Sequence, residues 1–465
     1  MQRGLKLKIK YLTTNKTKIR YSFNSLFKNI IQIMKKFLVV ITMILTVFDV
    51  EAQRVLTLDS CRNMALQNAE DLQKSVNAQK ISDYTLTNAK AAALPTLDAS
   101  GNLLFMFPNI DVMGSEMVLK GVYTAGINLT QPLFTGGKIY NGVKMAQAGR
   151  QASEIQQRMT RAEVLAELDK AYYSCIAVDA KVKMLDAYQK QMQHLENVVK
   201  TSLEAEMSTE LELLRITSKK SEIDYNLKKA QNGLTLCKMA LANFIGANMD
   251  EDFILADTII AVNPPQELSE DLSQRPEIQL LEKQIEVRER EIKMQRAESL
   301  PLLALSAGYT YCGNIKMEGS AQGPDGNYYP YTQKFDQGMT MVMLTAQIPL
   351  WHWGSNRRNV KKATLELEDA RLDLQKNTKL MSIEARQAVQ NLTDGYSMVL
   401  TAQLGFQEAQ KTLFSMTQKY ENQYCTLTDL IDAQSLWQQS FSNLIEAQTQ
   451  YKIYETEYLR VTGRL

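Results

Sequence analysis

The sequence predicts a mainly α-helical, internally duplicated chain in which two β-hairpins of membrane type interrupt long coiled-coil helices. Three observations carry this. The prolines are confined to a few places, a repeat recurs at a constant offset, and in two windows the hydrophobic period drops from helical to alternating.

The ten prolines stand at 95, 108, 132, 264, 265, 276, 301, 324, 330 and 349. None falls in 133–263 or after 349. Proline breaks helix interiors, so both tracts are free to be helical, and both are rich in Ala, Leu, Glu, Gln and Lys. In Ile139–Leu203 apolar residues recur at three- and four-residue steps, as at Val164, Leu165, Leu168, Ala171 and Cys175. A helix of roughly 65 residues is a rod of ~100 Å, too long for one compact core and suited to coiled-coil packing.

Pro132-Leu133-Phe134 recurs as Pro349-Leu350-Trp351, a shift of 217 that also carries Gly137 to Gly354, Glu167 to Glu384, Thr209 to Thr426 and Gly246 to Gly463. Upstream the shift is 206, pairing Lys90-Ala91 with Arg296-Ala297 and Leu94-Pro95 with Leu300-Pro301. A constant offset that includes Pro and Gly is a duplication. The expected organisation is repeat 1 over 53–247, a linker over 248–272 and repeat 2 over 273–465, each repeat holding a helix, a hairpin (96–131 and 302–348) and long helices.

Inside the hairpins the period is two. Leu97, Ala99, Gly101, Leu103 and Phe105 oppose Thr96, Asp98, Ser100 and Asn102, while Tyr123, Ala125, Ile127 and Leu129 oppose Thr124, Gly126, Asn128 and Thr130. In the second repeat Leu303, Leu305, Ala307, Tyr309 and Tyr311 oppose Ser306, Gly308 and Thr310. The fourth strand alternates poorly; the repeat shift puts Val342, Leu344 and Ala346 on its apolar face. Strands of about ten residues are the length a tilted membrane strand requires. The Gly-, Pro- and Asn-rich segments 106–121 and 312–337 are expected to be surface loops. Phe134, Trp351 and Trp353 stand at the strand-to-helix junctions, where an interfacial aromatic belt would lie. Four strands cannot close a barrel, and an open edge in lipid leaves backbone groups unpaired. Several chains must therefore contribute; three would give twelve strands.

Residues 1–33 hold eight Lys or Arg and no acid, and from Met34 a Met-Lys-Lys start, the apolar run Phe37–Phe48 and Val50-Glu51-Ala52 follow. This reads as a signal peptide over 34–52 behind a non-native upstream extension, with Gln53 as the mature start. Removing 1–52 leaves 43 bases (53 − 10) and 49 acids (51 − 2), a charge of −6, which gives no basis for nucleic-acid binding. The five cysteines show no CxxC spacing, and their odd number argues against a disulfide framework; they read as small, half-buried helix positions. There is no phosphate-cradling Gly loop, no HExxH and no GxSxG. Neither an enzyme, a metal site nor a cofactor is expected, and His194 and His352 read as a helix-surface and an interfacial residue.

The Leu-Pro entry to each hairpin, the motif Gln131-Pro-Leu-Phe-Thr-Gly-Gly137 and the duplication together resemble the TolC family of outer-membrane efflux and secretion channels, over essentially all of 56–463. The resemblance implies a homotrimer in the outer membrane of a Gram-negative bacterium, with most of its mass in the periplasm. Twelve strands would form one barrel, continued by twelve helices as a tunnel. It further implies a periplasmic adaptor protein and an inner-membrane efflux pump or ABC transporter as partners. Asp429 and Asp432 match the family's aperture acids and Tyr420 its gating tyrosine. Glu212 is the first-repeat equivalent of Asp429, Arg215 stands where a second acid would be, and Cys425 replaces an arginine that restrains the closed state. The adaptor-contact tips would be Met207, Ser208 and Thr209 in one repeat and Tyr424, Cys425 and Thr426 in the other, neither with glycine. The competing reading is a secreted coiled-coil scaffold or adhesin that forms no channel.

Overall fold

Two left-handed glycines start the long helices. Gly137 (φ 84°) and Gly354 (φ 73°) cap helices that begin one residue later, a backbone conformation that Gly adopts without a Cβ penalty. The computed structural model describes residues 54–465 apart from 113–114, 250–252, 258 and 266–267. The expected upstream extension and signal peptide lie outside the described residues.

The elements in chain order are β1 (Arg54–Leu56), α1 (Leu58–Asn68), α2 (Glu70–Ala91), β2 (Thr96–Phe105), β3 (Ile110–Val112), β4 (Ser115–Val118), β5 (Lys120–Phe134), α3 (Lys138–Glu204) and α4 (Glu210–Ile245). After them come β6 (Phe253–Leu255), α5 (Pro276–Ala297), β7 (Leu302–Gln322), β8 (Tyr328–Gln347), α6 (Ser355–Glu421) and α7 (Leu427–Val461). Residues Leu56–Glu251 and Leu255–Leu465 form one contact unit. The described residues of a second unit belong to β1 and β6, which pair as a two-stranded sheet.

The duplication is geometric as well as textual. Helices α3 and α6 are both 67 residues long and start 217 apart (355 − 138); α2 and α5 are both 22 residues long and start 206 apart (276 − 70). Gly246 and Gly463, at φ 69° and 71°, end the return helices. The mainly helical, internally repeated fold read from the sequence is thus borne out. Among the described residues no helix is long and apolar enough to cross a membrane.

The sheet runs β2-β5-β7-β8 in space, every pair antiparallel. Its register aligns the apolar sets of all four strands: Leu97 faces Leu129, which faces Ala307, which faces Val342, and one step on Ala99, Ile127, Tyr309 and Thr340 form the next row. Directly opposed residues share a face, so one face is apolar, while Asp98, Asn128 and Gly308 line the other. Strands β2 and β8 are the outer ones, each with an open edge.

Two expectations are corrected here. Segments 106–121 and 312–337 are strands over much of their length, not loops. The first folds into the short pair β3–β4, with β4 continuing alongside β7. In the second, β7 and β8 extend to 21 and 20 residues around a turn near Gly326. Backbone hydrogen bonds hold the ladder wherever both sheet faces are solvated, so it persists where the alternation that marks it fades. Nor are all the cysteines on helices, since Cys312 lies in β7 and Cys425 in the turn before α7.

The helices pack through apolar stripes. Tyr188, Met192, Leu195 and Val199 of α3, Ile216 and Ile223 of α4, and Leu427 and Leu430 of α7 make one buried cluster near the helix turns. It binds the hairpin α3–α4 to the hairpin α6–α7 and positions the two turns together.

Candidate functional site

The two helix turns are built alike. Helix α3 ends at Glu204 and α6 at Glu421, and two residues beyond each end stands a left-handed residue that is not glycine, Glu206 (φ 61°) and Gln423 (φ 62°). The Met207 amide donates to Ser202 O at 2.8 Å and the Tyr424 amide to Lys419 O at 2.7 Å, closing each helix end. Met207 and Tyr424 then stand at the tips 71% and 83% exposed. Because a left-handed L-residue costs roughly 1 kcal/mol or more, Gln423→Gly should tighten this turn. Hydrogen exchange at the Tyr424 amide should slow about threefold; unchanged or faster exchange would show that Gln423 carries no strain.

Each return helix opens on a reciprocal cap. The Thr209 hydroxyl accepts from the Glu212 amide at 3.3 Å, and the Glu212 carboxylate accepts from the Ser208 hydroxyl at 2.6 Å and more distantly from the Thr209 amide. In the second repeat the Thr426 hydroxyl accepts from the Asp429 amide at 3.2 Å, while Asp429 Oδ2 accepts from the Thr426 amide at 2.9 Å and hydroxyl at 2.7 Å. Thr-x-x-Glu and Thr-x-x-Asp before a helical run announce such boxes in the sequence, although the acids were read there only as lining an aperture. The Thr426 donors hold the exposed Asp429 carboxyl below the ordinary carboxylate range, hydroxyl first and amide second.

The candidate residues divide into two sets. Met207, Ser208, Glu212, Tyr420, Cys425 and Thr426 all line one groove of about 620 Å³ between the two turns, together with His194. Burial is the main cause that raises the Tyr420 phenol's pKa, with Glu212 and Cys425 adding to it. Asp429 and Asp432 lie outside that lining, both exposed on α7 one turn apart. Thr209 and Tyr424 also lie outside it. On the side of the acids, Arg215 Nη1 of α4 donates to Thr428 Oγ1 of α7 at 2.6 Å, the side-chain bond that joins the two hairpins nearest Asp429. Arg215 appeared in the sequence only as the residue in place of an acid; its partner depends on how α4 crosses α7, which spacing does not reveal. Among the described residues no group of His, Cys, Asp and Glu is arranged to hold a metal.

At the other end of the long helices, Trp351 and Trp353 are 73% and 80% exposed with rings 6.0 Å apart, edge to face. Phe134 closes β5 and is half-exposed.

The model of the outer membrane efflux protein family matches this chain twice, at residues 61–247 and 268–464. The chain belongs to that family. The two matches coincide with the two copies of the helix–hairpin–helix unit, and they displace the reading of a scaffold that forms no channel. Among curated relatives, the probable outer membrane lipoprotein SilC of Salmonella typhimurium is 24% identical over 317 residues, which cover 66% of this chain and 64% of that protein. The match thus spans just under two thirds of that relative. Solved structures share the fold. CusC superposes with a TM-score of 0.72 at 17% identity, over 87% of this chain and 92% of that one. CmeC of Campylobacter jejuni gives 0.71 at 18%, over 87% and 85%. The open-state MtrE channel of Neisseria gonorrhoeae gives 0.70 at 17%, over 87% and 88%.

Proposed function

We propose that this outer membrane efflux protein is the passive exit duct of a tripartite efflux or type I secretion system, working as a homotrimer. The observation that carries the reading is the four-stranded sheet with one apolar face, an opposite face that is polar or small on β2, β5 and β7, and two open edges. Closing β8 of one protomer onto β2 of the next, three times, satisfies every edge and turns the apolar face to lipid. The long helices then continue the duct into the periplasm. With no nucleotide-binding or catalytic motif, the energy comes from an inner-membrane efflux pump or ABC transporter, joined through a periplasmic adaptor. The exposed tips at Met207 and Tyr424, with Ser208, Thr209, Cys425 and Thr426 beside them, are the adaptor contacts; Phe134, Trp351 and Trp353 sit at the membrane interface.

The periplasmic aperture is formed by Asp429 and Asp432, with Tyr420 and Glu212 in the adjoining groove between the two turns and the Arg215–Thr428 bond tying the two hairpins. Three copies bring six carboxylates to one constriction, which favours cations. Removing their charge should therefore reduce cation selectivity. The replacement should be Asn at both positions, because Ala at 429 would also delete the α7 cap. In planar bilayers under a KCl gradient, Asp429→Asn with Asp432→Asn should move the reversal potential towards zero. A reversal potential equal to that of the wild type would remove both acids from the aperture.

A further inference from the structure

Strand β8 reads poorly as an alternating strand because the face expected to be polar is not. The strand runs unbroken over 328–347, so its odd residues share one face. That face is the one with Asp98, Asn128 and Gly308, since Met341 opposes Gly308 and Gly308 opposes Asn128. Along it stand Tyr329, Tyr331, Phe335, Met339, Met341 and Met343, with Gln333 among the aromatic residues, Gln337 between them and the methionines, and Thr345 and Gln347 beyond. The charged residues of the two strands, Lys316, Glu318, Lys334 and Asp336, all fall on the opposite face by register. Among the described strand residues, Asp98 is the single charge on the inner face, in the row of Met341.

We infer that this line of aromatic and thioether side chains is a contact track for organic cations with aromatic bodies as they cross the barrel. The inference rests on the duct reading above, which makes this face the lumen. Methionine is flexible and polarisable, so it adapts to apolar bodies of varied shape. Aromatic faces attract cations, the track holds no base to repel them, and Asp98 supplies the one opposing charge. Room is available as well: the neighbours of Met343, Met341 and Met339 across the ladder are Ser306, Gly308 and Thr310. Those neighbours also argue against a soft-metal site. Successive thioethers on one strand are about 6.6 Å apart at their bases, and the nearest sulfur on β7, Cys312, stands one row beyond Met339, opposite Gln337 and not opposite a methionine.

The test uses the trimer in planar bilayers in potassium nitrate, with tetraphenylphosphonium as the probe. The wild type should be blocked by it. In M339Q/M341Q/M343Q the half-blocking concentration should rise about tenfold at unchanged potassium conductance. In M339L/M341L/M343L, which keeps apolar bulk and removes sulfur, block should match the wild type. Recovery of each variant as a heat-stable trimer verifies its assembly, and single Met→Gln variants, each with a smaller shift in the same direction, serve if the triple variant does not assemble. Equal block of the wild type and the Gln variants overturns the track. So does a block by silver nitrate that both triple variants lose while tetraphenylphosphonium block stays intact, because that result assigns the methionines to metal. A conducting wild-type trimer that the probe does not block defeats this inference alone, whereas a heat-stable trimer without conductance defeats the duct reading beneath it.

Discussion

Leu129→Arg should abolish recovery of the heat-stable trimer, while Asn128→Arg should leave the yield near that of the wild type. The two residues are neighbours in β5 and point to opposite faces. Leu129 lies between Leu97 and Ala307 in the register, with Val342 beyond. In the proposed barrel an arginine there faces lipid, at about 2–4 kcal/mol near the bilayer midplane. A trimer repeats that cost three times, so roughly 6–12 kcal/mol is set against assembly, comparable with the whole stability of an ordinary domain. Asn128 lies between Asp98 and Gly308. An arginine there projects into the water-filled lumen beside a carboxylate. Gel shifts of unheated samples measure both variants; equal yields would contradict the assigned facing, and reversed yields would show that the faces are the other way round.

The same register explains what was legible in the sequence and what was not. In the proposed barrel the two faces of Leu97–Phe105, Val122–Thr130 and Leu303–Tyr311 meet different solvents, so Leu97, Ile127, Leu129 and Ala307 alternate with polar residues and the strands can be read. Beyond those stretches, 312–322 and 328–337 are wetted on both faces, and the sequence carries Gly, Asn and Pro without penalty. Hydrogen bonds hold the ladder there, and these leave no mark on side-chain pattern. Strand β8 failed the alternation test for another reason, since Met339, Met341 and Met343 make its lumen face apolar.

The long helices were legible from the proline-free tracts 133–263 and 350–465, and the structure adds that Gly137, Gly354, Gly246 and Gly463 mark helix ends through left-handed backbone. At the helix turns, spacing identified Asp429 and Asp432 as sharing a face. It could not reveal that Asp429 also caps α7, nor that Glu212 and Tyr420 face a separate groove. Those facts depend on which way α4 and α7 turn against α3 and α6. That rotation is set by the buried cluster of Met192, Ile216, Leu427 and Leu430, residues about 240 positions apart at the extremes (430 − 192).

Asp169→Ala should be the most destabilising single change in the helical part of the molecule. Asp169 lies in α3 and is 1% exposed. Its carboxylate accepts from Arg62 Nε at 2.9 Å and Arg62 Nη2 at 2.5 Å, and from the Thr456 hydroxyl at 3.1 Å. One side chain therefore ties α1, at the start of the first repeat, to α3 and to α7, at the end of the second. Truncation leaves a guanidinium whose side chain is 31% exposed with only the distant, exposed Asp59 at 3.9 Å, and leaves a buried hydroxyl without its acceptor. Breaking a buried pair on one side costs about 3–5 kcal/mol; because Arg62 keeps some access to water, about 3 kcal/mol is expected. Asp169→Asn retains an acceptor for one donor and should cost less. Replacing both partners, as Arg62→Met with Asp169→Leu, should recover most of the loss, since the penalty lies in the unpaired charge and not in the absence of the pair. Urea midpoints of the detergent-solubilised protein distinguish these cases. If Asp169→Ala costs under 1 kcal/mol, the three helices are held by their apolar contacts and the ion pair is incidental. If the double replacement is as damaging as the single one, the carboxylate sets the helix positions by its geometry, and the junction between the two repeats depends on three hydrogen bonds converging on one residue.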